Sequence, residues 1–397
     1  MRLRRLQLFD YRNINRLDVD LPGGLALFIG DNAQGKSNLL EAVYLLATMR
    51  GLRAETDAQL IRREALADVL PAARVVGEVE TAAGPLKVEV AIVVRPGAQG
   101  PVATKTVRVN GAARRLSDAV GRLTAVLFSA DDMEMITGSP ALRRRYLDMT
   151  LMQVDPPYAA ARGRYEKVLV QRNHLLKRLR EGEARPDELA FWDGELSRDG
   201  ALIFQRRAAA LAEISALAAE AHASLAPGEV LAIEYAPRLE DGGAELAGVG
   251  VGELADIFAR ALERGLQRDT AAGMTRQGPH RDDVIFRLDH LPASGYASRA
   301  QGRTIALSLR LAEARYLLGR RGEAPVLLLD DVLSEMDAAR RASVLLALRD
   351  MDQMLVTGTD WDRFPAEFVS GAALFTVEGG SVCPLVAAPA GPKTAGS

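Results

Sequence analysis

Cysteine is nearly absent from this 397-residue chain: Cys383 stands alone, so no internal disulfide can form, and a reducing, cytoplasmic setting is expected. No apolar run approaches the roughly 20 residues that a membrane helix requires. The opening stretch Met1-Arg2-Leu3-Arg4-Arg5-Leu6 also lacks the apolar core and small-residue cleavage site of a signal peptide, and no membrane partner is expected. An excess of one charge is missing too. The formal net charge of −2 excludes a polycation and requires any nucleic-acid surface to arise from local clustering. Sustained heptads are lacking, which argues against a long coiled coil. There is neither a Cys/His zinc spacing nor a supported Ser-His-Asp set, and no aromatic-rich strand motif offers platforms for base stacking.

What is present is the balance of a soluble globular protein, 48% hydrophobic and 26% charged. The length suits one large split domain or two ordinary ones. Leu25-Ala26-Leu27-Phe28-Ile29 reads as a buried strand ending in a Gly-rich turn, and Leu39, Leu40, Val43, Leu46 and Ala47 give helical spacing from Ser37 to Thr48. Val75, Val76, Val88, Val90, Ile92 and Val94 predict a strand pair turning at Ala83-Gly84-Pro85, and Val107 and Val109 lead into the hairpin signal Asn110-Gly111. The middle turns helical. Ala161, Tyr165, Val168, Leu169, Leu175, Leu176 and Leu179 keep the 3.6 period, and further helices are expected over Leu211 to Ala221 and Leu254 to Leu262. Gly182 to Pro186 and Glu240 to Gly252 read as surface loops. Strand character returns at Val326-Leu327-Leu328-Leu329 and Met354-Leu355-Val356-Thr357.

Gly30-Asp31-Asn32-Ala33-Gln34-Gly35-Lys36-Ser37 satisfies the phosphate-loop pattern G-x-x-x-x-G-K-[ST] at every position, with a strand before it and a helix after it. Such glycines let backbone N–H groups wrap phosphates at a helix N-terminus. Lys36 is expected to neutralise the β- and γ-phosphates of ATP and Ser37 to ligate Mg²⁺. Leu327-Leu328-Leu329-Asp330-Asp331 supplies the second half: a carboxylate ending a buried strand, with Asp330 as the Mg²⁺ ligand and Asp331 as the catalytic base that orients water. Lys36 and Asp330 lie 294 residues apart, so a large insertion splits the nucleotide domain. Between them, Tyr296-Ala297-Ser298-Arg299-Ala300-Gln301-Gly302-Arg303 opens an amphipathic run, and Ser334-Glu335-Met336-Asp337 follows Asp331. Alone, each of those stretches reads as an N-cap.

The set resembles the ABC-type heads of the SMC/RecF superfamily and, within it, the RecF family of bacterial DNA replication and repair proteins. The resemblance runs to about Phe375 and is carried by Phe9-Asp10-Tyr11-Arg12-Asn13, Gly30 to Glu41, Gly138-Ser139-Pro140 with Arg143 to Asp148, Gln171-Arg172-Asn173, Gly278 to Asp283, Ser298 to Thr304, and Leu327 to Asp337. It implies an α/β fold, an ABC-type P-loop ATPase head with an inserted helical lobe and no long coiled coil. It assigns Ser298 and Gln301 to the signature motif that meets ATP on a second protomer, Arg12 and Asn38 to the nucleotide, and Asp337 to a loop crossing the dimer interface. The implied activity is slow, DNA-stimulated ATP hydrolysis that releases a homodimer formed on double-stranded or gapped DNA. RecR and RecO are the implied partners in loading RecA.

The expected division is a head over 1–140 and 271–385, a helical lobe over 141–270, and a disordered Ala/Pro/Gly-rich tail over 386–397. Ten basic residues against three acids between Arg143 and Arg180 mark the candidate DNA surface. Sequence-independent contact to phosphates, falling steeply with salt, is expected there. Against the wider pattern, Ala300 stands where the signature usually has Gly, Asp331 where most such enzymes have Glu, and no histidine follows Met354-Leu355-Val356. Thr357 or Thr359 is the expected substitute for that switch histidine, and Ser129-Ala130-Asp131-Asp132 occupies the region of the usual glutamine loop. His280 with Asp282 and Asp283 groups metal-binding residue types, although at that spacing a turn with an ion pair is the commoner outcome. A transporter ATPase subunit and a nucleotide-gated scaffold are the other readings; the long insertion and the missing switch histidine count against the first.

Overall fold

A computed structural model describes residues 1–385 except 98–99, 240–245, 247, 334–335, 337–340, 342, 345, 347, 349–350, 362–363 and 365. Asp337 and the tail 386–397 therefore lie outside the described residues. The chain divides into two compact units, Met1–Ala130 with Glu313 onward, and Asp131–Ala312.

The first unit opens with the hairpin Arg2–Tyr11 (β1) and Ile14–Asp20 (β2), then Gly24–Ile29 (β3) and the helix Lys36–Thr48 (α1). Ala72–Thr81 (β4), Gly84–Arg95 (β5), Val102–Val109 (β6), Ala112–Arg114 (β7), the short helix Leu116–Ala119 (α2) and Ala125–Ser129 (β8) follow. An antiparallel sheet runs β2-β1-β4-β5-β6-β7. Its β6–β7 turn, Asn110 (φ 49°) and Gly111 (φ 79°), has the two positive φ angles that an Asn-Gly hairpin turn requires.

The second unit carries Met133–Thr137 (α3), Pro140–Met152 (α4), Pro156–Arg180 (α5), Ala190–Leu225 (α6), Leu231–Ala236 (β9), Val251–Ala272 (α7), Asp283–Leu288 (β10), Leu291–Pro292 (β11), Ala293–Tyr296 (α8) and the start of Arg299–Arg321 (α9). Asp155 accepts from the Tyr158 N–H and Pro156 opens the helix, a start signal for α5. The helices α5, α6 and α7 pack together, with Phe204 and Phe258 edge to face at 5.5 Å. A small antiparallel sheet β11-β10-β9 completes this unit. The expected lobe 141–270 falls inside it, but the unit also takes in 131–140 and 271–312. The physical reason is strand pairing: Asp283–Leu288 registers against Leu231–Ala236, so the chain past 270 returns to the same body.

Back in the first unit, Val326–Asp330 (β12), Gln353–Gly358 (β13), Ala373–Glu378 (β14) and Ser381–Pro384 (β15) join β3 and β8 in a sheet ordered β15-β14-β3-β13-β12-β8. Every pair from β14 to β8 is parallel. One core contains residues of both six-stranded sheets and of α1, including Leu3, Leu6, Phe28, Val43, Val75, Leu328 and Phe375. The helix is buried on every side along most of its length: Ala42 and Leu45 are buried along with Leu39, Leu40, Val43 and Leu46. That is the pattern of a helix covered on every side. No helix among the described residues is long and apolar enough to cross a membrane.

Candidate nucleotide site

The site lies at the C-terminal edge of the parallel sheet, where such folds place their ligands. Register aligns the strand ends: Ile29 pairs with Gly358, Asp330 with Thr357, and Asp330 also with Ser129. Strand β3 runs into the phosphate loop. Gly35 has φ 111°, and a Cβ there would come within 2.8 Å of Asn13 Oδ1. A Cβ at Gly30 would come within 2.1 Å of the Val377 carbonyl oxygen. A side chain at Gly35 would be strained by the positive φ and would push Asn13 aside, and one at Gly30 would displace either the loop or the strand.

The loop is gripped from its far side by the β14–β15 turn. Gly379 N–H donates to Gln34 Oε1 (2.6 Å), and Gly380 N–H donates to the Gln34 carbonyl (2.9 Å). The side chain of Gln34 thus supports the loop itself. Asp31, Asn32 and Ala33 form its exposed crest. Lys36 Nζ donates to the carbonyls of Gly30 (2.5 Å) and Asp31 (2.8 Å). Burial lowers the Lys36 pKa, and Asp331, Asp330 and Asp31 pull it back only in part.

Two hydroxyls converge on one carboxylate oxygen. Ser37 Oγ donates to Asp330 Oδ1 at 2.8 Å and Thr357 Oγ1 to the same atom at 2.9 Å. Asp330 is buried, and its other oxygen lies 3.9 Å from Arg53 Nη2. Asp331, with φ 55°, donates its N–H to Thr357 Oγ1 at 3.0 Å. Thr357 therefore links both aspartates. A serine hydroxyl beside a carboxylate is the hard-oxygen donor set that suits Mg²⁺.

Arg12 sits on the β1–β2 turn and pairs with Glu41 through two contacts of 2.8 Å. Burial works to raise the Glu41 carboxyl, but Arg12 and the N–H groups of Arg53 and Leu52 hold it below its ordinary value. Asn38 Nδ2 donates to Asn13 Oδ1 at 2.8 Å. The first unit thus assembles Arg12, Gly30 to Asn38, Asp330 and Asp331. Glu41, Thr357 and the Gly379–Gly380 turn are its supports.

Ser298 and Gln301 lie in the second unit. Gln301 N–H donates to Ser298 Oγ (3.2 Å) and Ser298 N–H to Gln301 Oε1 (2.9 Å), a reciprocal capping box that starts α9. Ser298, Arg299 and Ala300 are exposed at its head.

Part of the basic run between Arg143 and Arg180 is internally paired, and Arg143 and Arg172 are buried. Arg143 pairs with Asp283 (2.7 and 3.0 Å), Arg162 with Asp148 (2.9 Å) and Arg164 with Asp199 (2.6 Å). The fully buried Arg172 meets Asp193 (2.6 Å), Asp269 (2.8 Å) and Thr275 (2.8 Å). Arg207 bridges Asp148 (2.7 Å) and Asp282 (3.0 Å). Burial would raise Asp148, and Arg207 with Arg162 overcomes it; for Asp282 burial prevails and its pKa rises. Arg145, Arg164, Lys167, Lys177 and Arg180 are exposed. His280 is held between the Tyr165 hydroxyl (2.7 Å) and the Thr275 carbonyl (3.1 Å), and burial lowers its pKa to about 4. With Asp282 taken by Arg207, Tyr235 and the Arg238 N–H, this group is a turn with an ion pair.

The profile of the RecF/RecN/SMC N terminal domain matches residues 2–366. The DNA replication and repair protein RecF of Chloroflexus aurantiacus is 42% identical over 96% of this chain and 99% of its own. That of Roseiflexus castenholzii is 40% identical over 97% and 100%. A solved structure described as the recombination mediator protein RecF-ATP in the RecFOR pathway aligns with a TM-score of 0.85 at 30% identity, covering 97% of each chain.

Proposed function

The chain belongs to the RecF family of DNA replication and repair proteins, and from that premise we propose that it is a slow ATPase whose ATP-bound form dimerises on DNA. The observation that carries the reading is the convergence of Ser37 and Thr357 on Asp330 Oδ1 (2.8 and 2.9 Å), beside a phosphate loop complete at every position. A solved relative is described with ATP, and the loop between β3 and α1 is the part of this chain suited to that ligand.

Each residue has a task. The loop from Gly30 to Gly35 presents backbone donors to the phosphates, and Lys36 neutralises charge on them. Ser37 and Asp330 hold Mg²⁺, which when bound offsets phosphate charge. Asp331 accepts a proton from the attacking water and orients it. Its side chain is one carbon shorter than glutamate, which suits slow turnover. Ser298, at the exposed head of α9, donates toward the nucleotide of a second copy, and the helix N-terminus adds a positive dipole end.

DNA is held by phosphate contacts from exposed basic side chains such as Lys167, Lys177 and Arg180, with double-stranded or gapped DNA as the substrate. RecO and RecR are the proposed partners in loading RecA, since the solved relative is described within the RecFOR pathway. The test is steady-state ATP hydrolysis with and without duplex DNA. Wild type is expected to turn over slowly and to be stimulated. Lys36→Arg is expected to keep some nucleotide binding and lose productive hydrolysis; equal turnover in the two would refute the role of Lys36.

A further inference from the structure

The capping box at Ser298 is held from behind. With Gln301 Oε1 engaged by the Ser298 N–H, the amide nitrogen of Gln301 points the other way and donates to Glu229 Oε1 at 2.9 Å. Glu229 lies in the loop between α6 and β9. Its second oxygen lies 3.1 Å from Nε2 of His222, a fully buried residue near the end of α6. A carboxylate can only accept, so Nε2 carries the hydrogen of that contact. On the far side of the ring, His222 Nδ1 lies 3.1 Å from Ser308 Oγ on α9. The chain of contacts leaves α9 in its third turn, passes through His222 and Glu229, and returns to α9 at its first turn.

We propose that Glu229 is a positioning residue for the signature serine, locking the Gln301 amide so that the head of α9 presents the Ser298 hydroxyl to a partner copy's nucleotide in one orientation. The inference deepens the proposed function and rests on its assignment of Ser298. Three observations support it beyond helix capping. The Ser298 oxygen accepts from Gln301 N–H, which leaves its own hydrogen to donate outward. The Gln301 amide is engaged at both ends, so it cannot rotate without breaking two contacts. And Glu229 is itself fixed by a buried imidazole rather than by solvent, so the orientation is set from the interior of the unit. Gln301, expected from the signature pattern to touch nucleotide, also acts through Ser298.

The test uses full-length protein and a non-hydrolysable ATP analogue, comparing Glu229→Ala, Glu229→Gln, Gln301→Ala and Ser298→Ala. Glu229→Ala is expected to weaken analogue-driven dimerisation about tenfold, the loss of one charge-assisted hydrogen bond, while analogue affinity of the monomer stays unchanged. Glu229→Gln keeps an acceptor for Gln301 and is expected to recover most of the dimer. Hydrogen exchange of the peptide spanning 296–303 should rise in Glu229→Ala and not in Glu229→Gln, a readout independent of dimerisation. Gln301→Ala, at a partly exposed position, should reproduce the Glu229→Ala loss and covers the case in which Glu229→Ala misfolds. If Glu229→Ala or Gln301→Ala dimerises as wild type while Ser298→Ala does not, the positioning role is wrong and the assignment of Ser298 stands. If Ser298→Ala dimerises as wild type, both fall.

Discussion

Ser37 Oγ donates to Asp330 Oδ1 across 2.8 Å although 293 residues of chain separate them. The contact joins the start of α1 to the end of β12, and the strand lying between β3 and β12 adds Thr357 to the same oxygen. Ser37→Ala and Asp330→Asn should therefore act on one property. Both are expected to abolish the gain in ATP affinity on adding Mg²⁺, by about tenfold or more, while affinity in chelator stays near wild type. Fluorescent-nucleotide titration with and without Mg²⁺ decides it, and an intact Mg²⁺ effect in both variants would separate these residues from the metal.

Thr357 tests the support of the aspartate pair. Thr357→Val keeps the shape but removes the acceptor for the Asp331 N–H and the donor to Asp330. Loss of a buried polar partner costs on the order of 1–3 kcal/mol, so a lower melting temperature is expected. Turnover should fall at least tenfold with ATP binding retained; unchanged turnover would show that the geometry of Asp331 does not depend on Thr357.

Gly30 tests the grip of the β14–β15 hairpin on the loop. A methyl group there would sit 2.1 Å from the Val377 carbonyl oxygen, so Gly30→Ala must displace either loop or strand. ATP binding is expected to be lost while circular dichroism stays native. Binding at wild-type affinity would mean that the loop accommodates a side chain and is not held against β14.

The phosphate loop was legible because its chemistry forces a contiguous pattern, and Asp330 because four apolar residues before two aspartates read as a strand end. The sequence marks Thr357 or Thr359 as the substitute for the switch histidine, but the link from Thr357 to both aspartates depends on strand register and could not be read from Met354 to Thr357 alone. Nor could the grip of Gly379 and Gly380 on Gln34, since the two partners lie at opposite ends of the chain. The ion pairs within the basic run Arg143 to Arg180 were not legible for a different reason. The partners Asp193, Asp199, Asp269 and Asp283 all follow Arg180 in the chain, so the ion pairs of Arg143, Arg164 and Arg172 cannot be read from the local sequence. Two stretches that carry the family resemblance are joined directly within the second unit, where Arg143 pairs with Asp283.

His280 gives a pH prediction. Burial takes it from the ordinary 6.5 to about 4. Below pH 6.5 the unfolded chain gains a proton at this site that the folded one refuses until about pH 4. Stability therefore falls as pH drops through that window, by on the order of 3 kcal/mol from this group, and no further below it. The difference in urea midpoint between wild type and His280→Phe should narrow as pH falls from 7 toward 4; a constant difference would show that His280 titrates normally.

The central claim is that nucleotide held at Ser37 and Asp330 joins two copies on DNA. Its most direct test is the mass in solution of the full chain with a non-hydrolysable ATP analogue, Mg²⁺ and a short duplex. The account predicts a complex of two chains on one duplex that requires the analogue and dissociates steeply with added salt. A single chain's mass under every condition, with the analogue bound, would contradict it.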